Sequence, residues 1–248
     1  GHSNHGEAFN KGPRQAAYLM GTTSNVSFPI TTGSTVAQAF FNQGVGQLHG
    51  FWYLEAERSF RQVLKIHPGH PMAYWGMAMA NANNRTRAQP LIKKAVEGRN
   101  LVSERERLWI DAMTAYLKES DSKKRKAARI KAYQSIAEKF PDDIEAQAFY
   151  ALALYGDVRA KKNYDDIEKR IAAILAKNPN HPCHHYRIHL WDYKDAKRAL
   201  SSVDQCGQAA PGIAHMWHMP GHILSRLKRY DDAAWQQEAS ARVDHAHM

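Results

Sequence analysis

The stretch FFNQGVGQLHGFWYLEAERSFRQVLKIHP, residues 40–68, decides the fold class. Its apolar side chains recur every three to four residues rather than every two, which is the spacing of amphipathic helices. The small residues Gly44 and Ala56 lie at positions where two helices can approach closely, and Phe60 follows one turn after Ala56. Pro68 marks the end of the second helix. The stretch therefore predicts a pair of packed helices.

The same helix pair recurs along the chain. Turn signals stand at Pro68, Pro141, Pro179 and Pro211, at intervals of 73, 38 and 32 residues, and the first interval accommodates two units. A period in the mid-thirties is typical of helix pairs stacked in a solenoid. Near the end of the chain, the offsets of the first pair are repeated by Trp217, Gly221 and Ala233. No run of β-branched residues is long enough for a strand, so we expect an all-α fold.

About six helix pairs are predicted. Ser103 and Glu106 form a capping box at the start of the fifth helix. The predicted helices are Ala37–His49, Tyr53–Ile66, Met72–Ala82, Ala88–Val96, Glu104–Leu117, Lys126–Phe140, Ile144–Leu154, Asp165–Lys177, His184–Trp191, Lys194–Val203, Ala214–Leu227 and Asp231–Val243.

The chain divides into two predicted regions. Residues 1–35 are rich in Gly, Ser, Thr and Asn and form an irregular N-terminal arm packed on the helical region. Residues 36–248 form the solenoid. Because a solenoid needs a polar cap over its last apolar face, we expect the face after Val243 to be covered by further sequence, by a partner or by a second copy in a homo-oligomer.

Several stretches resemble a family of bacterial tetratricopeptide-repeat (TPR) proteins, which are usually longer than this chain and often exported. The resemblance implies a TPR-type solenoid from about residue 37 to 244 and a periplasmic or secreted location, and it supplies no reaction. The resembling stretches are Phe41-Asn42-Gln43-Gly44, Glu55-Ala56 to Phe60, Met72-Ala73-Tyr74-Trp75-Gly76, His185-Tyr186 with Ile188-His189, and His218-Met219-Pro220 with His222-Ile223.

Histidine is the unusual feature of the composition, since seven of the 14 histidines fall between positions 181 and 222. His185 and His189 are four residues apart, as are His218 and His222, so each pair shares one face of a helix. The two pairs are offset by 33 residues, which is about one repeat. Because adjacent first helices should lie about 8–10 Å apart, the four imidazoles are predicted to converge on one metal ion.

Two further residues join the predicted metal site, either as ligands or as partners of the ligands. His215 lies one turn before His218, and Asp192 lies one turn beyond His189. Neutral imidazole suits zinc, copper, nickel and iron, and a neighbouring carboxylate favours zinc or iron. The alternative is that these histidines only pack and hydrogen-bond inside a tightly filled superhelix.

The TPR resemblance also implies which residues line the concave groove, namely positions 2, 5, 9 and 13 of each first helix. Arg226 holds position 13 of the last repeat and is a candidate ligand-groove residue. Phe41 and Trp75 hold position 5 of their repeats and are groove candidates, with core packing as the alternative. His49 lies near the groove-facing end of the first repeat and is a further candidate.

The composition also bears on membrane insertion, nucleic-acid binding and cysteine-based sites. No run of 18 apolar residues occurs, which excludes a membrane-spanning helix. The formal net charge of +10 comes with a basic run at residues 123–126, where a solvated helix face is favoured over a nucleic-acid patch. Two cysteines exclude a four-cysteine zinc site and leave one disulfide possible.

The leading hypothesis is therefore a helical-repeat metalloprotein, with catalysis left open. The alternatives are a TPR scaffold whose groove binds a peptide or protein without metal and, as a third hypothesis, an RNA-associated protein.

Overall fold

The computed structural model describes residues 11–13, 15–157 and 163–247 of the chain. Within these residues it has twelve α-helices, two short 3-10 helices and no β-strand. The predicted all-α fold is confirmed. No helix in the described ranges combines the length and apolar character needed to cross a membrane.

The helices follow one another with short connections. In chain order, α1 to α12 are Thr35–His49, Tyr53–Ile66, Pro71–Ala80, Arg85–Glu97, Glu104–Lys118, Ser122–Lys139, Ile144–Gly156, Tyr164–Lys177, Cys183–Trp191, Leu200–Ala209, Ala214–Arg226 and Tyr230–His247. Eleven of them agree with the predicted helices to within four residues at each end. The predicted capping box at Ser103 and Glu106 is present at the start of α5.

The predicted helix Lys194–Val203 is wrong. A 3-10 helix covers Ala196–Ala199, and the α-helix α10 begins only at Leu200. The buried positions of α10 include Val203, Cys206 and Gly207, which continue the helical spacing well past the predicted end. The error arose because small residues carry the buried face of α10, so the hydrophobic pattern is weak there.

The described residues before position 35 contain neither helix nor strand. Phe28 is nevertheless fully buried, and the Thr31 backbone N–H donates to the Glu106 carboxylate at 2.8 Å. These contacts anchor this part of the N-terminal arm to α5. Residues 1–10 and 14 of the predicted arm lie outside the described part of the chain.

The chain forms two compact units. Among the described residues, unit 1 contains 11–13, 15–19, Ser27–Leu48 and Tyr53–Ala146, and unit 2 contains Met20–Val26, His49–Trp52, 147–157 and 163–247. In unit 1, α3 contacts α2, α4 and α5. In unit 2, α9 contacts α8, α10 and α11. Each unit thus packs helices both in sequence and one position further along the chain.

Unit 1 is built around aromatic rings. Phe28, Phe41, Trp75 and Trp109 are all fully buried. The ring centroid of Phe28 lies 5.3–5.6 Å from those of the other three. Aromatic rings at such distances add to the free energy gained from burying their area. This cluster is therefore the main hydrophobic core of the unit.

Close helix approach in unit 1 depends on two glycines that face Phe60. A methyl group added at Gly44 of α1 would lie 2.7 Å from the Phe60 ring, and one added at Gly76 of α3 would lie 2.5 Å from it. Such distances are too short for carbon atoms in contact. The Phe60 ring of α2 thus fits between its neighbours only because both positions lack a side chain.

The basic run lies on α6, as the sequence predicts. Lys123 and Lys124 are exposed, whereas the guanidinium groups of Arg125 and Arg129 lie 5.4 and 5.0 Å from the centroid of the Tyr116 ring. Cation–π contacts of this kind stabilise a helix face. The exposed lysines fit both the solvated-face interpretation and the nucleic-acid interpretation of this segment.

Candidate metal centre

Three histidines of unit 2 meet at one point. Helix α9 supplies His185 and His189 from successive turns, and His215 comes from the first turn of α11. Their candidate ligand nitrogens all lie within 4.8 Å of one another. The ring of His185 lies 4.6 Å from that of His189 and 4.8 Å from that of His215, measured between centroids. We call these three residues the histidine triad.

The Nε2 atoms of the triad are buried, and none has a hydrogen-bond partner. For His185 the proton position follows from its other nitrogen, because Nδ1 lies 2.8 Å from the carbonyl oxygen of His49. A carbonyl oxygen only accepts, so Nδ1 carries the proton and Nε2 of the neutral ring carries a lone pair. Burying a polar atom without a partner costs free energy, and a metal ion would supply the missing partner.

The triad is held in the neutral form by its surroundings. Burial, followed by the proximity of His189 and His215, lowers the pKa of His185 well below 6.5. Burial and then His222 lower the pKa of His189 to about 4. Burial and then His189 lower the pKa of His215 to about 4. Because metals bind neutral imidazole, all three side chains are in the binding form at neutral pH.

An aromatic side chain covers the triad. The ring centroid of Phe51 lies 4.4 Å from that of His185, 5.6 Å from that of His189 and 6.1 Å from that of His215. Phe51 also has a φ of 58°, a conformation that bulky residues rarely adopt and that costs on the order of 1–3 kcal/mol. The strained backbone therefore directs an apolar ring against the three imidazoles.

A second pair of histidines lies beside the triad. The Nε2 atoms of His218 and His222 face each other at 2.9 Å, and the ring centroids of His215 and His218 are 5.7 Å apart. The Nδ1 atom of His222 lies 3.1 Å from Oδ2 of Asp192. The sequence predicts all three of His218, His222 and Asp192 as part of the site, and we call His218 and His222 the histidine pair.

Gln237 of α12 fixes the orientation of His218. Its Nε2 donates to the backbone carbonyl oxygen of His218 at 3.2 Å, which sets the direction of the amide group. Its Oε1 then lies 2.5 Å from His218 Nδ1 and accepts a hydrogen bond from it. In the same way, the Asp192 carboxylate accepts from Nδ1 of His222. With both rings neutral, the two Nε2 atoms carry lone pairs and lie 2.9 Å apart with no proton between them.

Asp192 connects the pair to Arg226. The Asp192 side chain is only 4% exposed, and its Oδ1 accepts from Nε of Arg226 at 3.1 Å. This hydrogen bond raises the pKa of Arg226 above its ordinary value. The guanidinium also lies 4.0 Å above the centroid of the Tyr193 ring. Arg226 therefore neutralises the buried carboxylate while staying largely exposed.

A cavity of about 580 Å³ borders the histidine pair. Its walls carry two cationic side chains, one carboxylate and several hydroxyl or amide groups, so it suits a polar ligand rather than an apolar one. The lining residues are Asp192, His218, Gly221, His222, Ser225, Arg226, Lys228, Tyr230 and Gln237.

The remaining groove candidates lie in other surroundings. Phe41 and Trp75 are fully buried in the aromatic core of unit 1, which is the core-packing alternative for both. His49 is also buried; its ring stacks on Phe149 at 4.6 Å, and its carbonyl oxygen orients His185. Cys183 and Cys206 are buried and do not form a disulfide.

Two residues of this region were missed by sequence reasoning. Phe51 lies in the turn between α1 and α2, and no sequence pattern connects it with residues more than 130 positions later. Gln237 follows His218 by 19 residues, close to the spacing between opposite positions of two antiparallel helices. That spacing is a usable signal for Gln237, since α11 and α12 were both predicted.

Comparison with known proteins adds no assignment. No protein-family model matches the chain, and no curated protein matches its sequence.

Proposed function

We propose that this protein is a transition-metal-binding protein and that the Nε2 atoms of the histidine triad hold the ion. Two observations carry the proposal: each of the three rings places a ligand nitrogen within 4.8 Å of the others, and the Nε2 atoms of all three are buried without a hydrogen-bond partner. Ordinary core histidines behave differently. His184, for example, has Nδ1 2.9 Å from the Ser202 hydroxyl and Nε2 2.8 Å from the Pro179 carbonyl oxygen.

The spacing of the triad agrees with a metal site that closes slightly on binding. Zinc–nitrogen bonds of about 2.0–2.1 Å at tetrahedral angles place the nitrogens about 3.3–3.4 Å apart. The triad nitrogens lie within 4.8 Å, so rotations that shorten the largest separation by about 1.5 Å suffice. His189 and His215 are only partly buried, which leaves their rings room to adjust.

A centre with three histidines leaves one coordination position open. Structural zinc sites use four protein ligands, whereas catalytic sites commonly use three and bind water or substrate at the fourth position. The purely nitrogen ligand set suits zinc, copper or iron. We therefore propose a metal centre in which one coordination position can exchange its ligand. A metal-dependent enzyme is one kind of protein that has such a centre.

The proposed ligand set differs from the four-histidine set that the sequence suggests. His185 and His189 belong to both, whereas His215 takes the third place from α11. His218 and His222 lie beside the triad with Nδ1 atoms bound to Gln237 and Asp192. The contact between α9 and α11 supports the use of the 33-residue offset in this proposal, and the ring orientations decide which nitrogens converge.

We further propose that the scaffold is a TPR-type solenoid. Support comes from the contacts of α9 with α11 and of α3 with α5, which join helices that are equivalent in successive pairs. The close approach at Gly44 and Gly76 is also what a repeat with small residues at fixed positions requires. The predicted groove function of Arg226 fits this scaffold, because Arg226 lines the cavity beside the histidine pair.

The decisive experiment is metal analysis of protein made without a histidine tag and purified without a nickel column. We expect at least one equivalent of zinc, copper or iron per chain at neutral pH. X-ray absorption should show nitrogen ligands, and His215→Ala should lose the triad ion. The control is His245→Ala, because His245 is exposed on α12, and that variant should keep the metal content of the unchanged protein.

The proposal is wrong if the protein takes up no transition metal, or if His215→Ala and His245→Ala behave alike while circular dichroism shows both folded. In that case the peptide- or protein-binding scaffold becomes the preferred function, with the cavity near Arg226 as its binding surface. Fluorescence titration with labelled peptide libraries would then test that scaffold.

A further inference from the structure

We infer that the histidine pair, His218 and His222, is a second metal position, so that the protein holds two ions side by side. This inference rests on the proposed function for its first ion. The starting observation is the 2.9 Å contact between the two Nε2 atoms. Each ring already uses Nδ1 as a donor, so two neutral rings leave no proton between these atoms.

Two facing lone pairs repel each other unless a cation lies between or beside them. The cation is either a proton shared by the two nitrogens or a metal ion bound by both. Nitrogens 2.9 Å apart that each bind zinc at about 2.0–2.1 Å subtend an angle of about 90° at the ion. That angle is the one between neighbouring ligands of an octahedral ion, so the separation of the two nitrogens matches that of two adjacent coordination positions.

The partners of the two Nδ1 atoms favour the metal. Metal-binding histidines characteristically donate their other ring N–H to a carboxylate or carbonyl group, which orients the ring and increases its basicity. His222 donates to the buried Asp192 carboxylate, and His218 donates to the Gln237 amide oxygen. His185 of the triad makes the equivalent bond to the His49 carbonyl oxygen. His185, His218 and His222 thus each donate Nδ1–H to an oxygen atom, which leaves Nε2 as the candidate metal ligand.

The position of the pair suits an ion with exchangeable ligands. Both rings line the 580 Å³ cavity, which leaves its remaining coordination positions accessible to water or to a small ligand. His218 also stacks near the triad, with its ring 5.7 Å from that of His215 and inclined by 26°. Two ions in adjacent sites can act together on one bound ligand, as in two-metal hydrolases and nucleases.

Zinc stoichiometry tests the inference directly. Untagged, metal-stripped protein is dialysed to equilibrium against buffered free zinc, and bound zinc is counted per chain. We expect two equivalents for the unchanged protein and one each for His218→Ala, His222→Ala and His215→Ala. His245→Ala is the matched control and should keep two. Circular dichroism confirms that each variant is folded.

A second measurement does not depend on removing a ligand. Long-range proton–nitrogen NMR of the imidazoles at neutral pH shows which ring nitrogens carry protons. In the zinc-loaded protein we expect Nδ1 protons on His218 and His222 and no proton on either Nε2. A proton that stays on one of these Nε2 atoms in excess zinc would overturn the inference in favour of a shared proton.

The outcomes separate the two proposals. One equivalent in the unchanged protein, lost in His215→Ala and kept in His222→Ala, refutes the second position and leaves the triad intact. Zero equivalents refute both. Two equivalents that persist in both His218→Ala and His222→Ala refute the second position as well, since the additional ion then binds elsewhere.

Discussion

The interiors of the two units use aromatic rings in different ways. Unit 1 fills its core with Phe28, Phe41, Trp75 and Trp109, which gain free energy simply by leaving water. Unit 2 buries His185 completely and covers it with Phe51, although an imidazole nitrogen buried without a partner costs free energy. Packing alone therefore does not explain the histidine cluster of unit 2, and the cost of burying it supports the proposal that it binds a metal ion.

Acid should produce the largest effect, and it should act through unit 2. The pKa values of His189 and His215 are about 4 in the folded protein, against about 6.5 in an unfolded chain. Between these values the unfolded state binds more protons, so the free energy of unfolding of metal-free protein falls as the pH drops from about 6.5 to 4. His185 shifts in the same direction and therefore adds to the loss of stability in acid.

Urea unfolding at pH 7 and pH 4.5 measures this effect. The double variant His189→Gln with His215→Gln replaces two titrating rings with neutral side chains, so its stability should depend less on pH over this range. Carboxylates are the same in both proteins, which makes the comparison specific to the imidazoles. Equal pH dependence in both would show that the buried histidines do not resist protonation.

The second prediction concerns the aromatic core. Trp75→Ala removes a fully buried ring in contact with Phe28, Phe41 and Trp109, and loss of such a ring costs about 3–5 kcal/mol. Metal content should not change under conditions where the variant is folded. Trp235→Ala is the matched control, because that side chain is 58% exposed. Loss of metal in folded Trp75→Ala would show that metal binding also depends on the aromatic core of unit 1, which would contradict the contrast between the two units.

The third prediction is stabilisation by the ion itself. A ligand that binds only the folded state at about 100 times its dissociation constant stabilises it by about 2.7 kcal/mol. We expect zinc to raise the melting temperature and a chelator to reverse the change in the unchanged protein and in Trp75→Ala. His215→Ala should show a clearly smaller response in differential scanning calorimetry. A full response in that variant would contradict the proposed ligand set.

Features of the molecule that depend on local sequence were predictable, whereas features that depend on contacts between distant residues were not. Helix positions follow from local periodicity and capping, so the all-α fold and the Ser103 capping box were predictable. The i, i+4 spacing places His185 beside His189 on any helix. The helix Lys194–Val203 failed because Cys206 and Gly207 give little hydrophobic signal even though they are buried.

The detailed arrangement of the site was not predictable from spacing. Which imidazole nitrogens meet is decided by side-chain torsions and by distant acceptors such as the His49 carbonyl oxygen, 136 residues before His185. The proposed TPR repeat gives Phe41 and Trp75 the same position as His218, yet both rings are buried in the core of unit 1. The position of a residue in a repeat fixes only where its side chain leaves the backbone. What that side chain contacts depends on the residues packed around it.

The last prediction is the smallest and is the most specific test of the histidine pair. Asp192→Asn keeps an oxygen that can accept from Nδ1 of His222 but removes the charge that strengthens this bond. Loss of such a partner typically weakens metal binding about 10- to 100-fold, or about 1.4–2.7 kcal/mol. The weakening should be larger for the second zinc equivalent than for the first. Asp192 accepts a hydrogen bond from Nδ1 of His222, whereas it acts on His189 of the triad through its charge. Asp165→Asn is the matched control, since Asp165 is an exposed carboxylate paired with Arg198. Isothermal titration with zinc resolves the two affinities, and equal weakening of both steps would show that the pair and the triad form a single site.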